Sequence, residues 1–281
     1  MQKALKKYAA LFTLPTLIAF IIAFLAPFVM GIYLSFTKFT TVTNAKWVGF
    51  SNYSKVFEQE GGFLHSLAFT AAFAVITVIS INVIAFLFAL MLTKKLKGTN
   101  FFRTVFFMPN LIGGIVLGYI WQLIINGVLA HYEQTVISDA RFGFWGLIIL
   151  LNWQMIGYIM VIYIAGIENV PEDLIDAAAV DGASRWQVLR NVTIPMVMPS
   201  ITICLFLTLT NSFRLFDQNL ALTGGLPGKE SEMLALNIFH TFYGSAGYEG
   251  VGQAKAVIFF ILVSVIALVQ LRLTQRKEVE C

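Results

Sequence analysis

Charged residues are scarce in this sequence. Only 12% of its 281 residues are Asp, Glu, Lys or Arg, whereas 58% are hydrophobic and the mean hydropathy is +0.79. Ordinary soluble domains are never so apolar, so the composition indicates an integral membrane protein. The net charge of +4 is spread over short loops, which argues for membrane orientation and against nucleic-acid binding.

Cysteine and histidine are equally sparse, which excludes two kinds of site. Cys204 lies inside an apolar run and Cys281 is terminal, so neither a disulfide framework nor a thiolate metal cluster is expected. The three histidines are scattered without metal-ligand spacing. Residues 225–229 look like a phosphate-binding loop, but Thr223 and Glu230 break its G-x-x-x-x-G-K-[ST] pattern. We predict no catalytic residue and no metal in this chain.

Apolar runs long enough to cross a bilayer occur six times, since a spanning helix needs roughly 20 mainly apolar residues. A retained first span is favoured over a signal peptide, because its apolar run is too long and no small-x-small cleavage site closes it. We therefore predict an all-α membrane protein whose spans are Leu11–Phe36, Leu67–Leu92, Val105–Ile125, Phe144–Ile167, Val197–Leu220 and Ala256–Leu273.

Basic residues set the predicted orientation. With the N-terminus inside, inner segments carry about twice as many Lys and Arg residues as outer segments, which is the bias typical of cytoplasmic loops. Both termini, with Lys3, Lys6 and Lys7 near the first, are therefore predicted to be cytoplasmic. The outer loops 38–64, 126–143 and 221–250 are too short for separate soluble domains, so residues 1–281 are expected to form a single transmembrane domain.

Residues 171–195 form a polar island between the fourth and fifth predicted spans. Pro171 suits the first turn of a helix, and Gly182 can supply the positive φ that ends one. Ser184 and Gln187 fit a capping box that starts a second helix, and Pro195 is expected to end it. The pattern predicts two short helices joined at a glycine, and it leaves open a connecting loop on the membrane surface or a docking element.

The same island resembles the EAA motif of ABC importer permeases, in which EAA, three residues and G precede nine residues and I-x-L-P. The leading acid is one methylene shorter here, since it is an aspartate rather than a glutamate. We name residues 168–196 the EAA hairpin. The positions that match the motif, and to which the resemblance assigns contact with the ATPase, are Asp176, Ala177, Ala178, Asp181, Gly182, Ala183 and Pro195.

The resemblance extends over nearly the whole chain. Residues 102–109 are similar to the start of the third span in sugar permeases, and residues 216–225 to the end of their fifth span. The most similar subfamily is the maltose and glycerol-phosphate type, on the side of its F or A subunit. From this sequence we expect neither the extra N-terminal spans nor the large outer insertion that maltose-type members can carry.

This resemblance implies a type I ABC importer permease with a coupling helix in the EAA hairpin, in the bacterial cytoplasmic membrane. It implies a second homologous permease, two copies of a cytoplasmic ATPase and an extracytoplasmic sugar-binding protein as partners. The chain itself would hold no cofactor, because ATP and Mg²⁺ would bind to the partner ATPase.

Polar residues inside spans mark solute pathways by default, and sugars are bound by hydrogen bonds and aromatic rings. The alternative for each is an interhelical hydrogen bond, which we favour for Asn82. Arg214 and Asp217 are three residues apart and can pair. For Gly114 and Gly118 we favour close helix packing within the fold. The predicted pathway residues are Tyr158, Asn211, Ser212, Phe213, Arg214 and Asp217.

Two other functions remain as alternatives. An ion-coupled secondary transporter of a polar solute would show paired broken helices in two related halves, and we see no such pairing. A membrane enzyme would need a cluster of acid, base or metal-binding groups, for which Asp217 alone is too little.

Overall fold

A computed structural model of the chain describes residues 13–58, 62–94, 98–244, 246–276 and 278. Outside these residues lie the predicted start of the first span at Leu11 and four residues named above, Lys3, Lys6, Lys7 and Cys281. The chain divides into two compact units, Met1–Phe63 with Ile238–Phe260 and Leu64–Asn237 with Ile261–Cys281. The expectation of a single domain remains a prediction.

Helices account for nearly all of the regular structure. Within the described residues, five helices are long and apolar enough to cross a membrane, and there are six if a pair bent by 70° at Val197 is one span. The predicted all-α membrane fold with six spans is confirmed. In chain order the helices are α1 Thr13–Ser35, α2 Ser51–Glu58, α3 Phe63–Leu92, α4 Thr99–Phe107, α5 Gly114–Leu129, α6 Ala140–Glu168, α7 Glu172–Val180, α8 Arg185–Met196, α9 Met198–Phe213, α10 Asp217–Leu222, α11 Leu234–Gly244 and α12 Glu249–Gln275.

Two predicted spans differ from the structure because the helix is interrupted inside each of them. The third is two helices, α4 and α5, separated by a 3₁₀ turn at Met108–Leu111 that contains Pro109. The fifth ends at Phe213 instead of Leu220, and the shorter helix α10 follows after Arg214–Phe216. Proline lacks the N–H that a continuing helix needs, which accounts for the first break.

The core of the second unit is centred on α6 and contains a buried polar network. The Asn82 amide of α3 donates to the Thr208 hydroxyl of α9 at 2.9 Å and accepts from the Tyr163 hydroxyl of α6 at 2.6 Å. Thr77 and Ser212 form a second hydroxyl contact between α3 and α9, at 2.9 Å. The predicted interhelical role of Asn82 is confirmed. Since an unpaired polar group in a bilayer is costly, these bonds fix the register of three spans.

Small residues let α5 and α10 approach closely. A Cβ atom added at Gly114 would lie 2.7 Å from the Cβ of Asp217, and one at Gly118 would lie 2.6 Å from the Cβ of Ala221. Real Cβ atoms essentially never come so near, so both glycines are required by this packing. The predicted role of the G-x-x-x-G spacing in close packing within the fold is confirmed.

The first unit begins with α1, whose helical ladder widens into a π-turn at Ile21–Leu25, just before Pro27. A two-stranded antiparallel ribbon follows, formed by β1 Thr37–Lys38 and β2 Lys46–Trp47. The Asn52 amide of α2 donates to the carbonyl oxygens of Ser35 and Thr37, both at 2.8 Å. These bonds anchor the ribbon to the end of α1.

Candidate functional site

The EAA hairpin turns at Gly182 through a Schellman motif. The N–H of Gly182 donates to the Ala179 carbonyl at 3.1 Å, and the N–H of Ala183 donates to the Ala178 carbonyl at 3.0 Å. Gly182 has φ +79°, the left-handed conformation that this motif requires and that favours glycine. The prediction of two short helices joined at this glycine is confirmed.

A capping box starts the second helix of the hairpin. The Gln187 N–H donates to the Ser184 hydroxyl at 3.4 Å, and the Ser184 N–H donates to the Gln187 side-chain oxygen at 2.7 Å. The prediction that Pro195 ends this helix is wrong. Pro195 lies inside α8, because a π-turn at Leu189–Thr193 precedes it, and the chain bends only at Val197.

The hairpin presents its side chains outward. No residue of α7 is buried, and the apolar side chains of Val180 and Trp186 are 87% and 66% exposed. Isolated exposed apolar residues are ordinary, but here two flank one rigid turn. Of the motif positions, Asp176, Ala177, Asp181 and Gly182 are exposed, whereas Ala178, Ala183 and Pro195 are half-buried. Such a surface suits the groove of a partner protein.

An ion pair holds the base of the hairpin. Arg103 of α4 donates to the Glu168 carboxylate at 2.6 Å and to the Leu92 carbonyl at 3.2 Å. Leu92 is the last residue of α3, and Glu168 is the last residue of α6, four residues before α7 begins. One guanidinium therefore ties two span ends together beside the hairpin. The sequence does not reveal this pairing, because the two residues are 65 positions apart.

We expect Arg103→Glu to lower the free energy of unfolding by about 2 kcal/mol, because it removes a charge-assisted bond and sets two carboxylates side by side. Combining it with Glu168→Arg should restore part of the loss, since the introduced carboxylate cannot donate to Leu92. The unfolding temperature of the detergent-purified protein measures both. Arg141→Glu is the matched control, because the Arg141–Asp139 pair is well exposed. Equal losses of unfolding temperature in the Arg103→Glu and Arg141→Glu variants would contradict a stabilising role of the Arg103–Glu168 ion pair.

The predicted pathway residues separate into two groups at the end of α9. Asn211, Arg214 and Asp217 are exposed, whereas Ser212 and Phe213 are buried at 0% and 3% exposure. The Ser212 hydroxyl is hydrogen-bonded to the Thr77 hydroxyl of α3 and to the Thr208 carbonyl of its own helix. Arg214 and Asp217, whose spacing would allow them to pair, do not do so, since among the described residues the ion pairs are Arg103–Glu168 and Arg141–Asp139.

A glutamine pair lies beside this exposed group. Gln218 of α10 donates to the Gln154 side-chain oxygen at 2.9 Å, and Gln154 donates to the Ile112 carbonyl at 3.3 Å. The pair joins α10 to the middle of α6 and positions the neighbouring Asp217. Gln218 was missed because it lies at the predicted end of a span, although a glutamine there was a usable signal.

Tyr158 is half-buried in α6, with its ring 6.4 Å from that of Phe107. A nearby cavity of about 470 Å³ is lined by Phe88, Phe106, Trp153 and other apolar side chains. Such a lining offers a hydroxyl-rich solute few hydrogen-bonding groups, so this cavity is a poor candidate for a sugar site. Across the residues that the structure describes, no three His, Cys, Asp or Glu side chains are grouped to hold a metal ion.

Comparison with known proteins identifies the family. Residues 82–279 match the family described as "Binding-protein-dependent transport system inner membrane component". The chain belongs to this family of permeases. The matched residues include the EAA hairpin, the Arg103–Glu168 pair and the exposed group at the end of α9. The candidate site therefore lies inside the part of the chain that defines the family.

Two relatives match the permease over almost all of its length. The "Probable starch degradation products transport system permease protein AmyD" of Thermoanaerobacterium thermosulfurigenes is 46% identical, over 96% of this chain and 94% of that protein. The "Multiple sugar-binding transport system permease protein MsmF" of Streptococcus mutans is 30% identical, over 99% of each. The chain is thus similar to permease subunits of transport systems.

A solved structure gives the fold independently. The permease matches a chain of a bacterial ABC transporter involved in the import of the acidic polysaccharide alginate, with a TM-score of 0.80 and 21% identity, over 98% of each chain. Identity at that level is evidence for fold alone. It agrees with the type I importer architecture expected from the EAA resemblance.

Proposed function

We propose that the permease forms one half of the membrane channel of an ABC importer for a sugar or oligosaccharide. A second, homologous permease would form the other half, and two copies of a cytoplasmic ATPase would bind ATP and Mg²⁺. An extracytoplasmic binding protein would deliver the cargo. Both termini would lie in the cytoplasm, as the distribution of basic residues favours.

The exposed EAA hairpin carries the coupling part of this proposal. Its turn is fixed by backbone hydrogen bonds around Gly182, and its base is held by the Arg103–Glu168 ion pair. A rigid element that is joined to the spans transmits displacement to them. Val180 and Trp186 supply exposed apolar contacts for a partner groove.

The sugar assignment rests on the relatives. One relative is named for starch degradation products and another for multiple sugars. A related alginate transporter has been described with a periplasmic protein bound to an alginate pentasaccharide. Uncharged starch fragments suit this permease best, since its candidate pathway presents an amide and one charge of each sign, rather than a basic surface.

We place the solute pathway at the exposed face of Asn211, Arg214 and Asp217. These groups are exposed on the isolated chain. Charged and amide side chains do not face lipid without large cost, so within the membrane this face must meet water or a second protein. A pathway between the two permeases meets both requirements. Ser212 and Phe213 would then support this face from behind.

Replacing Asn211 by Leu should lower sugar uptake about tenfold, because a buried cargo hydroxyl then loses its partner. Arg214→Gln should lower it similarly, while nucleotide hydrolysis by the assembled importer persists. Ile203→Leu is the matched control, since Ile203 is an exposed apolar residue of the same helix. Wild-type uptake in both pathway variants would refute the placement of the pathway.

The function is tested by reconstituting the permease with the partners that co-purify with it. Vesicles should take up labelled maltodextrins only with ATP inside and binding protein outside. Uptake that survives ATP depletion but collapses with the ion gradient would instead favour a secondary transporter. Uptake driven by ATP but restricted to a non-carbohydrate cargo would overturn the sugar assignment alone.

A further inference from the structure

The ribbon of the first unit places two lysines directly opposite each other. Lys38 and Lys46 are cross-strand partners in the antiparallel pairing, and both are exposed. Partner residues on one face of such a pair have Cα atoms only about 4.5–5.5 Å apart, and like charges there repel. An anion placed between the two ammonium groups would remove this repulsion and stabilise the ribbon.

The stretch of sequence that contains the ribbon supplies no carboxylate for that role. The sequence contains no Asp or Glu before Glu58, so Lys38, Lys46 and the exposed Lys55 of α2 lie in a stretch whose side-chain charges are all positive. Among the residues that the structure describes, neither lysine of the ribbon forms an ion pair. The counter-charge therefore has to come from outside this part of the chain.

The aromatic residues around the ribbon indicate the environment of that charge. The Trp47 ring stacks on Phe36, with centroids 5.4 Å apart, and lies 6.0 Å from Tyr33 near the end of α1. Trp47 and Phe50 are 63% and 74% exposed. Exposed Trp and Tyr at the end of an apolar helix are typical of the membrane–water interface, where lipid headgroups lie.

The lysines are held by a well-ordered base. The Thr37 hydroxyl donates to the Leu34 carbonyl at 2.9 Å, and Asn52 bonds both Ser35 and Thr37. A Cβ atom at Gly250 would clash with the Thr37 carbonyl, so a helix backbone also packs closely against β1. The backbone positions that bring the two lysines opposite each other are thus fixed by the fold.

We propose that Lys38 and Lys46 bind the phosphate of an anionic phospholipid, with Trp47 and Tyr33 at the level of its glycerol backbone. The positive charge selects an anionic headgroup, and the exposed rings select a lipid over a free anion. The site would anchor the outer end of α1 in the orientation proposed above. It concerns lipid contact and not cargo, so its failure would leave the proposed transport untouched.

The test is native mass spectrometry of the full-length permease in neutral detergent, titrated with phosphatidylglycerol or phosphatidylcholine. Lys46→Gln should weaken the binding of one phosphatidylglycerol about fivefold, and Lys38→Gln with Lys46→Gln about thirtyfold. Phosphatidylcholine binding should not change. Lys229→Gln is the control, because Lys229 is an exposed lysine followed by the acidic Glu230. Without lipid, the double variant should melt no lower than the wild type, since a repulsion has been removed.

A second measurement reports on the site itself. The fluorescence of Trp47 is the part of the signal that is lost in Trp47→Phe. Phosphatidylglycerol that carries a quencher on its headgroup should quench this part, and the two lysine substitutions should abolish the quenching. Equal phosphatidylglycerol affinity in all variants would overturn the proposal. So would an equal loss of phosphatidylcholine, which would signal a damaged fold, or displacement of the lipid by millimolar inorganic phosphate, which would signal a free-anion site.

Discussion

Gly182→Val is expected to lower ATP-driven uptake at least tenfold while leaving the permease inserted in the membrane. The glycine has φ +79°, where a β-branched residue is strained by about 2 kcal/mol. Nothing lies within 4 Å of a Cβ atom built there, so the effect comes from the backbone and not from crowding. Relief of the strain would break the two bonds of the turn and misdirect α8.

The matched control is Gly182→Asn, because asparagine enters the left-handed region more readily than other side chains. It should keep more than half of the uptake. Uptake and nucleotide hydrolysis are measured in the same vesicles, and an importer assembled with the valine variant should hydrolyse ATP without moving cargo. Wild-type transport in the valine variant would show that the turn geometry does not matter for coupling.

Gly157→Ala is expected to cost about 3 kcal/mol of stability and to reduce the amount of folded permease severalfold. Gly157 lies in the middle of α6, where a Cβ atom would overlap the Phe106 carbonyl and lie 2.7 Å from the Phe107 nitrogen. Both are backbone atoms of α4, which cannot turn aside as a flexible side chain can. The helices must separate to admit one methyl group.

Gly127→Ala makes the same chemical change where it should do no harm. Gly127 lies in α5, and nothing is within 4 Å of a Cβ atom there. Monodispersity after detergent extraction and the unfolding temperature distinguish the two variants. Similar behaviour of both would mean that the α4–α6 contact is looser than described.

The spans that sequence predicted well are those whose signal is local. The fourth predicted span, Phe144–Ile167, lies inside α6, which starts four residues earlier. Asp139 caps that helix by accepting the Arg141 N–H at 2.8 Å, and this bond lowers the pKa of its carboxyl. Apolar composition finds such a helix because the whole segment is helical, and only its ends depend on capping.

The breaks in the third and fifth predicted spans escaped because hydropathy measures polarity and not backbone conformation. Residues 108–113 are nearly all apolar, yet Pro109 and the pair Gly113–Gly114 interrupt the helix there. Those residues were a usable signal. Arg214 and the polar residues that open α10 were another, because a continuous span would have had to bury them.

The site shows the same division. Gly182, Ser184 and Gln187 were predictable because each acts on the backbone within a few positions of itself. The burial of Ser212 was not, since it depends on Thr77, a residue 135 positions away. The Arg103–Glu168 ion pair was not predictable either, because it forms only once the helices have assembled.

The local construction of the EAA turn has a consequence for how such importers diversify. Its geometry is written almost entirely within residues 177–187, by main-chain bonds and one capping box. The residues of the candidate cargo path lie elsewhere, at the end of α9. If the turn contacts the ATPase and the end of α9 contacts the cargo, as proposed, cargo selectivity can change by substitution without altering the contact with the ATPase.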